Sequence, residues 1–172
     1  MRTLYLLRHA KSSWDDPILT DHDRPLAARG IRATPYVADH LRHAGIVPDV
    51  VLCSSSRRTR ETLDLLGDAI PADTDIRVEE GLYHATVAAL LDRLRMLPDS
   101  TRRPLLIGHN PAVQQLAVVL AASGQHREQM ARAFPTAALA TLDAPIDGWA
   151  DLAAGCATLA GFVRPKDLKT PR

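Results

Sequence analysis

Short apolar runs alternate with longer amphipathic segments along this chain, and this alternation restricts the fold more than any other feature. The apolar runs predict strands at residues 3–7, 49–53, 76–78, 104–107, 138–142 and 157–162. The amphipathic segments predict helices at residues 27–44, 56–69, 86–97 and 111–122, with a kink or break at Pro35 in the first. Because strands that alternate with helices form parallel sheets, we predict an α/β fold with a largely parallel sheet.

Length and composition are those of an ordinary globular chain. The 172 residues are expected to form one domain over residues 1–164, with a short C-terminal tail at 165–172 and a polar connection at 124–135. A formal net charge of +1 favours neither nucleic-acid nor membrane binding. Cys53 and Cys156 have no disulfide or zinc spacing, and the N-terminus is too short and too soon charged for a signal peptide. We therefore expect a cytoplasmic location.

Three of the predicted strands are followed by basic or imidazole side chains. Arg8 and His9 follow the first strand, Arg58 follows the second just inside the next helix, and His109 follows the strand in "PLLIGH". Since the carboxyl ends of parallel strands meet at one edge of a sheet, where ligands bind in open α/β folds, we expect these side chains to form one site.

Guanidinium groups, imidazoles and helix N-termini all favour anions, and a phosphoryl group matches the paired donors of arginine. The sequence has no Walker-type loop and no acidic metal cluster, so we expect neither a metal nor a cofactor. His9, kept neutral by nearby cations, is the predicted nucleophile. Arg8 and Arg58 would stabilise the transferred phosphoryl group, His109 would add a donor, and water would hydrolyse the phosphohistidine intermediate.

Three motifs carry a resemblance to a known family. "LRHA", "CSSSRRTRET" and "GHNP" resemble, in order and spacing, the motifs of the histidine phosphatase superfamily, which has the phosphoglycerate mutase-like fold. The short length and the segment "DHDRPLAARG" are most similar to the SixA-type phosphohistidine phosphatases. The resemblance implies a three-layer α/β/α sandwich with a mostly parallel central sheet. It also implies that Arg24 binds the phosphate with Arg8 and Arg58, and that Thr62 is the threonine of the second motif.

The general acid and the substrate remain open at this point. Many family members have a glutamate after the third strand, where "VEEGLYH" offers Glu79 and Glu80, and Glu80 is the candidate acid. We expect a metal-independent phosphatase whose substrate is phosphohistidine on a protein. A phosphomonoesterase for a small phosphorylated metabolite is the alternative, and a mutase or a non-catalytic phosphate-binding module is less favoured.

Overall fold

The central element is a seven-stranded sheet. The computed structural model describes residues 1–169, and its strands are β1 (Arg2–Arg8), β2 (Val50–Ser54), β3 (Asp75–Glu79), β4 (Pro104–Gly108), β5 (Ala121–Ser123), β6 (Leu139–Ala144) and β7 (Ala157–Val163). They are ordered β3-β2-β4-β1-β6-β7-β5. Within the described residues, β6 alone runs antiparallel to its neighbours. The mostly parallel sheet is therefore confirmed, with β5 as a strand that the sequence did not predict.

Six helices flank the sheet in the described part of the chain: α1 (Ala28–His43), α2 (Arg57–Leu66), α3 (Val87–Arg95), α4 (Ala112–Leu120), α5 (Arg127–Arg132) and α6 (Pro165–Leu168). The first four match the predicted helices. Helix α1 continues through Pro35, so the alternative of a break there was wrong. Helix α5 lies inside the segment predicted as a polar connection. Residues 1–169 also contain four short 3-10 turns, including Asp21–Asp23 and Glu80–Leu82.

Two apolar cores lie on opposite faces of the sheet. Side chains alternate across a strand, so Leu4 and Leu6 of β1 belong to the core under α3 and α4, whereas Tyr5 and Leu7 belong to the core under α1 and α2. The predicted three-layer α/β/α sandwich is thereby confirmed. No helix among residues 1–169 is both long and apolar enough to cross a membrane.

The predicted tail begins with a helical turn. In α6 the Arg164 backbone N–H donates to Asp167, whose carboxylate also accepts from the Arg164 guanidinium at 2.8 and 2.9 Å. Helix α6 packs against α1. Residues 170–172 lie outside the described residues, and the domain boundary at residue 164 stays a prediction.

The strand order brings the predicted site together. Strand β4 lies between β1 and β2 and is parallel to both, so the ends of all three open onto one edge. The connection from β1 to β2 lies on the face of the sheet that α1 and α2 cover, whereas the connection into β4 lies on the face that α3 covers. Ligands of α/β proteins bind where the connections change from one face of the sheet to the other in this way.

Candidate active site

The ends of β1 and β4 bring the two predicted histidines into contact. The backbone N–H of His9 donates to the carbonyl of Gly108 at 3.1 Å, which ties the residue after β1 to the last residue of β4. The ring centroids of His9 and His109 are 5.3 Å apart. These residues are separated by a hundred positions in the chain, and the parallel pairing of β1 with β4 explains their proximity.

His9 is a buried, uncharged imidazole with a defined tautomer. The residue is 6% exposed, and its Nδ1 lies 2.7 Å from the carbonyl oxygen of Ala10. A carbonyl can only accept, so Nδ1 carries the proton and Nε2 has a free lone pair. Burial lowers the pKa of His9 to about 3, with smaller contributions from His109, Arg58 and Arg8, although the bond to Ala10 opposes the shift. Burial is thus the main cause of the neutrality that the sequence analysis attributed to nearby cations.

Arg58 is directed toward the histidines from the start of α2. The hydroxyl of Ser56 caps this helix by accepting from the Thr59 N–H. Arg58 is buried, its Nη2 lies 3.5 Å from Nδ1 of His109, and its Nη1 and Nη2 donate to the backbone and carboxylate of Asp21 at 2.7 and 3.1 Å. Arg58, which was predicted to lie beside the histidines, therefore contacts His109 directly.

Asp21 holds two arginines at once. Arg24 donates through Nε to the same carboxylate at 3.2 Å, and the hydroxyl of Tyr83 also donates to it. Burial raises the pKa of Asp21, but the bonds from Tyr83 and Arg58 outweigh this and lower it to about 2. Neither Asp21 nor Tyr83 was predicted from the sequence as a site residue.

Arg24 is buried within this network. Its side chain is packed beneath Trp14, whose ring lies 3.5 Å from the guanidinium carbon, and its Nη1 donates to Ser12 Oγ at 2.9 Å. Within residues 1–169, Arg24 reaches Arg58 only through Asp21. The structure therefore joins Arg24 to the cluster by a carboxylate rather than by a direct contact with a histidine.

Three buried arginine Nε donors have no partner in the described part of the chain, and two of them, on Arg8 and Arg58, belong to residues of this site, while the third is on Arg2. Arg8 donates through Nη1 to the carbonyl of Phe134 at 3.0 Å, yet its Nε is unpaired, as is the Nε of Arg58. A buried unpaired donor costs about 1–3 kcal/mol and more when the group is charged. Burial and the nearby Arg58 lower the pKa of Arg8.

His109 has the opposite tautomer from His9. The Arg58 guanidinium can only donate, so Nδ1 of His109 accepts and its Nε2–H donates to Ser54 Oγ at 2.7 Å. Burial lowers the pKa of His109 to about 4, and Arg58 contributes. Ser54 belongs to the "CSSSRRTRET" motif but was not proposed as a site residue, although its position at the end of β2 was a usable signal.

Thr62 connects the segment after β1 to α2. Its hydroxyl accepts from the Ala10 N–H at 3.0 Å and donates to the Arg58 carbonyl at 2.7 Å. The Ala10 carbonyl also accepts a hydrogen bond from the His9 ring. Thr62 therefore ties the backbone beside His9 to the helix that carries Arg58. This gives a structural reason for a threonine at this position.

A cavity of about 430 Å³ adjoins the cluster. It is lined by Arg58, by residues 82–87 with Leu90, and by residues 108–112 with Gln115. Among the described residues, neither Glu79 nor Glu80 lines it. Glu79 forms two bonds to Arg93 at 2.7 and 2.8 Å, and Glu80 is exposed at the start of a 3-10 turn. Glu80 as general acid stays a prediction.

Residues 1–169 contain no group of three or more histidine, cysteine, aspartate or glutamate side chains that could hold a metal ion. The cavity lining is formed by arginine, histidine and tyrosine, by the uncharged polar residues Thr86, Asn110 and Gln115, and by apolar residues. These groups bind anions through hydrogen bonds and charge.

The fold and this cluster are those of an α/β enzyme that handles phosphoryl groups. Residues 4–87 match the model of the histidine phosphatase superfamily, branch 1. The structure of SixA from Nakamurella multipartitia is 30% identical and superimposes with a TM-score of 0.83 over 95% of this chain and 96% of that one. The chain belongs to the histidine phosphatase superfamily and is a phosphatase, as the sequence motifs predicted.

Two further relatives extend the comparison. Protein Rv1276c of Mycobacterium tuberculosis is 40% identical over 164 residues, which cover 93% of this chain and all of the relative. The protein histidine phosphatase SixA complexed with tungstate has a TM-score of 0.79 over 97% of this chain and 99% of that chain. At 23% identity, the latter similarity is one of fold.

Proposed function

We propose that this phosphatase removes the phosphoryl group from phosphohistidine on proteins, with His9 as the nucleophile and without a metal ion. The observation that carries the proposal is the His9 ring, which is buried, neutral and protonated on Nδ1, so that Nε2 has a free lone pair. A neutral imidazole nitrogen in this state can attack phosphorus.

In the first step, the lone pair of His9 Nε2 forms a new bond to phosphorus. The bond between phosphorus and the substrate imidazole breaks, and its electron pair remains on the departing nitrogen. Arg8 and Arg58 stabilise the charge on the phosphoryl oxygens, and both are close enough to His9 for their charges to lower its pKa. The neutral His109, whose single N–H donates to Ser54, holds Arg58 through its Nδ1 instead of donating to the phosphoryl group as the sequence predicted. Arg24 supports Arg58 through Asp21.

In the second step, water attacks the phosphohistidine formed on His9. The bond between phosphorus and Nε2 breaks, its electron pair returns to Nε2, and the protons of the water pass to the released phosphate and to solvent. The proton held on Nδ1 by the Ala10 carbonyl stays in place throughout. His9 therefore leaves as a neutral imidazole rather than as an anion, which needs no separate acid.

The lining of the cavity favours a phosphohistidine substrate. Among the described residues it contains no carboxylate, and a phosphate ester needs a positioned acid because its leaving group would otherwise depart as an alkoxide. An imidazole whose second nitrogen is protonated departs neutral. Tyr83 and His84, with ring centroids 3.9 Å apart, offer aromatic faces to such a ring. Glu80 is the proposed acid if esters are also hydrolysed.

A small phosphorylated metabolite is the second candidate substrate. The cavity volume of about 430 Å³ lies within the range of small-molecule sites, which runs from about 300 to 1,000 Å³. This is the observation in favour of a phosphomonoesterase. A phosphate-binding module without catalysis is the remaining alternative.

The test compares a protein phosphorylated on histidine with p-nitrophenyl phosphate, in the presence of EDTA. We expect faster hydrolysis of the phosphohistidine protein, and no turnover of either substrate by His9→Ala. The variant His126→Ala, which removes an exposed imidazole, is the matched control. Activity that EDTA abolishes would contradict the metal-free reaction. A wild-type protein no faster than His9→Ala would identify a binding module, and faster turnover of small esters would identify a phosphomonoesterase.

A further inference from the structure

A second cavity, which we call the basic cavity, is lined by five cationic side chains from three parts of the chain. Its volume is about 280 Å³, and its cations are Lys11, Arg29, Arg164, Lys166 and Lys169. Alanine and proline side chains, together with Thr136, form the rest of the lining. The lining among the described residues contains no acidic side chain. The chain as a whole has a formal net charge of only +1, so this is a local concentration of positive charge.

The basic cavity lies at the same edge of the sheet as the active site. Lys11 is two residues beyond His9, and Arg29 is in the first turn of α1, which begins at this edge. Arg164 follows β7, which pairs antiparallel with β6 as β1 does, so the ends of β1 and β7 point the same way. The two sites therefore face the same direction in the molecule.

Two of the cations are available for a ligand. Lys11 and Arg29 are exposed, and no carboxylate pairs with either among residues 1–169. Arg164 differs, because Asp167 occupies its guanidinium. An acidic group entering the cavity would meet unpaired charges next to apolar surface, where screening by water is weaker than at an open face.

We infer that the basic cavity binds an acidic segment of the phosphorylated protein substrate and holds it beside His9. This inference rests on the proposed function. The volume of about 280 Å³ is below the usual range for whole small-molecule ligands, about 300–1,000 Å³, but it accommodates one or two carboxylate side chains. The common edge lets one polypeptide reach both sites. Charge complementarity of this kind raises the association rate and selects partners.

Binding is tested with a fluorescently labelled hexaglutamate peptide, followed by anisotropy at low salt. We expect the double variant Lys11→Gln/Arg29→Gln to bind the peptide at least about tenfold more weakly than wild type. The loss of charged contacts across an interface often weakens binding by about this factor. The matched control is Arg102→Gln/Arg103→Gln, which removes two exposed charges just before β4. That position is at the opposite edge of the sheet, so the control should bind like wild type.

Catalysis is tested with two synthetic phosphohistidine peptides, one flanked by glutamates and one by glutamines. We expect wild type and the Arg102→Gln/Arg103→Gln control to prefer the glutamate peptide by about tenfold in kcat/KM at low salt, a preference that high salt reduces. Lys11→Gln/Arg29→Gln should lose the preference. All three proteins should hydrolyse p-nitrophenyl phosphate equally, because neither pair of residues belongs to the His9 cluster.

Failure of the inference is distinguishable from failure of the proposed function. Equal binding of hexaglutamate by wild type and Lys11→Gln/Arg29→Gln, or an equal loss in both double variants, would overturn the basic cavity as the docking site. Displacement of the peptide by inorganic pyrophosphate, without any preference between the phosphohistidine peptides, would instead indicate a small-anion site and would also overturn it. Hydrolysis of p-nitrophenyl phosphate but of neither phosphohistidine peptide would contradict the proposed function, and hexaglutamate binding would then decide the cavity separately.

Discussion

Acid should destabilise this protein through the two histidines of the active site. The folded chain keeps His9 and His109 neutral, with pKa values lowered from 6.5 to about 3 and about 4, mainly by burial. In the unfolded chain both rings would bind a proton near pH 6.5. The unfolded state therefore binds more protons between these values, and the free energy of unfolding falls as pH falls through this window.

The size of the effect follows from the two pKa differences. Each full pH unit below the unfolded pKa costs about 1.4 kcal/mol per histidine, so going from pH 7 to pH 5 costs about 2 kcal/mol for each ring. The folded protein hardly protonates either ring at pH 5. Both histidines together then remove about 4 kcal/mol, which is a large part of a typical stability of about 5–15 kcal/mol. The window from pH 7 to pH 5 lies above the pKa of about 2 that the structure gives Asp21.

The assay is urea denaturation at pH 7 and pH 5 for wild type and His9→Asn. We expect wild type to lose about 2 kcal/mol more than the variant over this interval, because the variant has one fewer group that protonates on unfolding. His126→Asn controls for the removal of an exposed imidazole. The same pH dependence in wild type and His9→Asn would refute the reasoning. So would a wild-type His9 resonance that titrates near pH 6.5 by NMR, a measurement that also applies if His9→Asn does not fold.

Two further changes test the surroundings of the site. Gly30→Ala should destabilise the protein by about 2 kcal/mol in urea denaturation, because the added Cβ would lie 2.3 Å from the Lys11 carbonyl oxygen. Gly81→Ala should have no such effect, because the space around Gly81 is open. Equal effects of the two substitutions on the free energy of unfolding would contradict this prediction. Asp21→Asn should lower the pKa of Tyr83, which burial and the bond to Asp21 raise, and an NMR titration of ¹³C-labelled tyrosine with an unchanged Tyr83 pKa would contradict the assigned bond.

Most of the fold was predictable because its elements have clear periodicity. The six predicted strands and the first four helices are present within one to a few residues of their expected ends. Strand β5 was not predictable, because three residues after α4 are too few to carry an alternating pattern. Helix α5 was missed for a related reason: in six mostly polar residues, only Met130 marks a buried face.

Some residues of the candidate active site were likewise predictable from the sequence, and others were not. The common location of Arg8, His9 and His109 was predictable because each comes at or just after the end of a strand, where topology alone brings residues together. Asp21 and Tyr83 lie in and just after short 3-10 turns, and their positions depend on tertiary contacts with Arg58 and with each other. The weak signal for Asp21 was its spacing of three residues from Arg24, which the structure turns into an ion pair.

Asp21 also explains how so basic a cluster remains suited to a single phosphoryl group. The guanidinium groups of Arg8, Arg24 and Arg58 bring three positive charges, and the ionised Asp21 offsets one of them. The two histidines add none, because burial keeps both neutral. The resulting two positive charges match a phosphoryl dianion of about −1.5 to −2. A protonated His9 would add a third charge but would lose the lone pair on Nε2. Under the proposed function, the burial of this ring therefore favours nucleophilicity over charge, and the arginines are left to bind the anion.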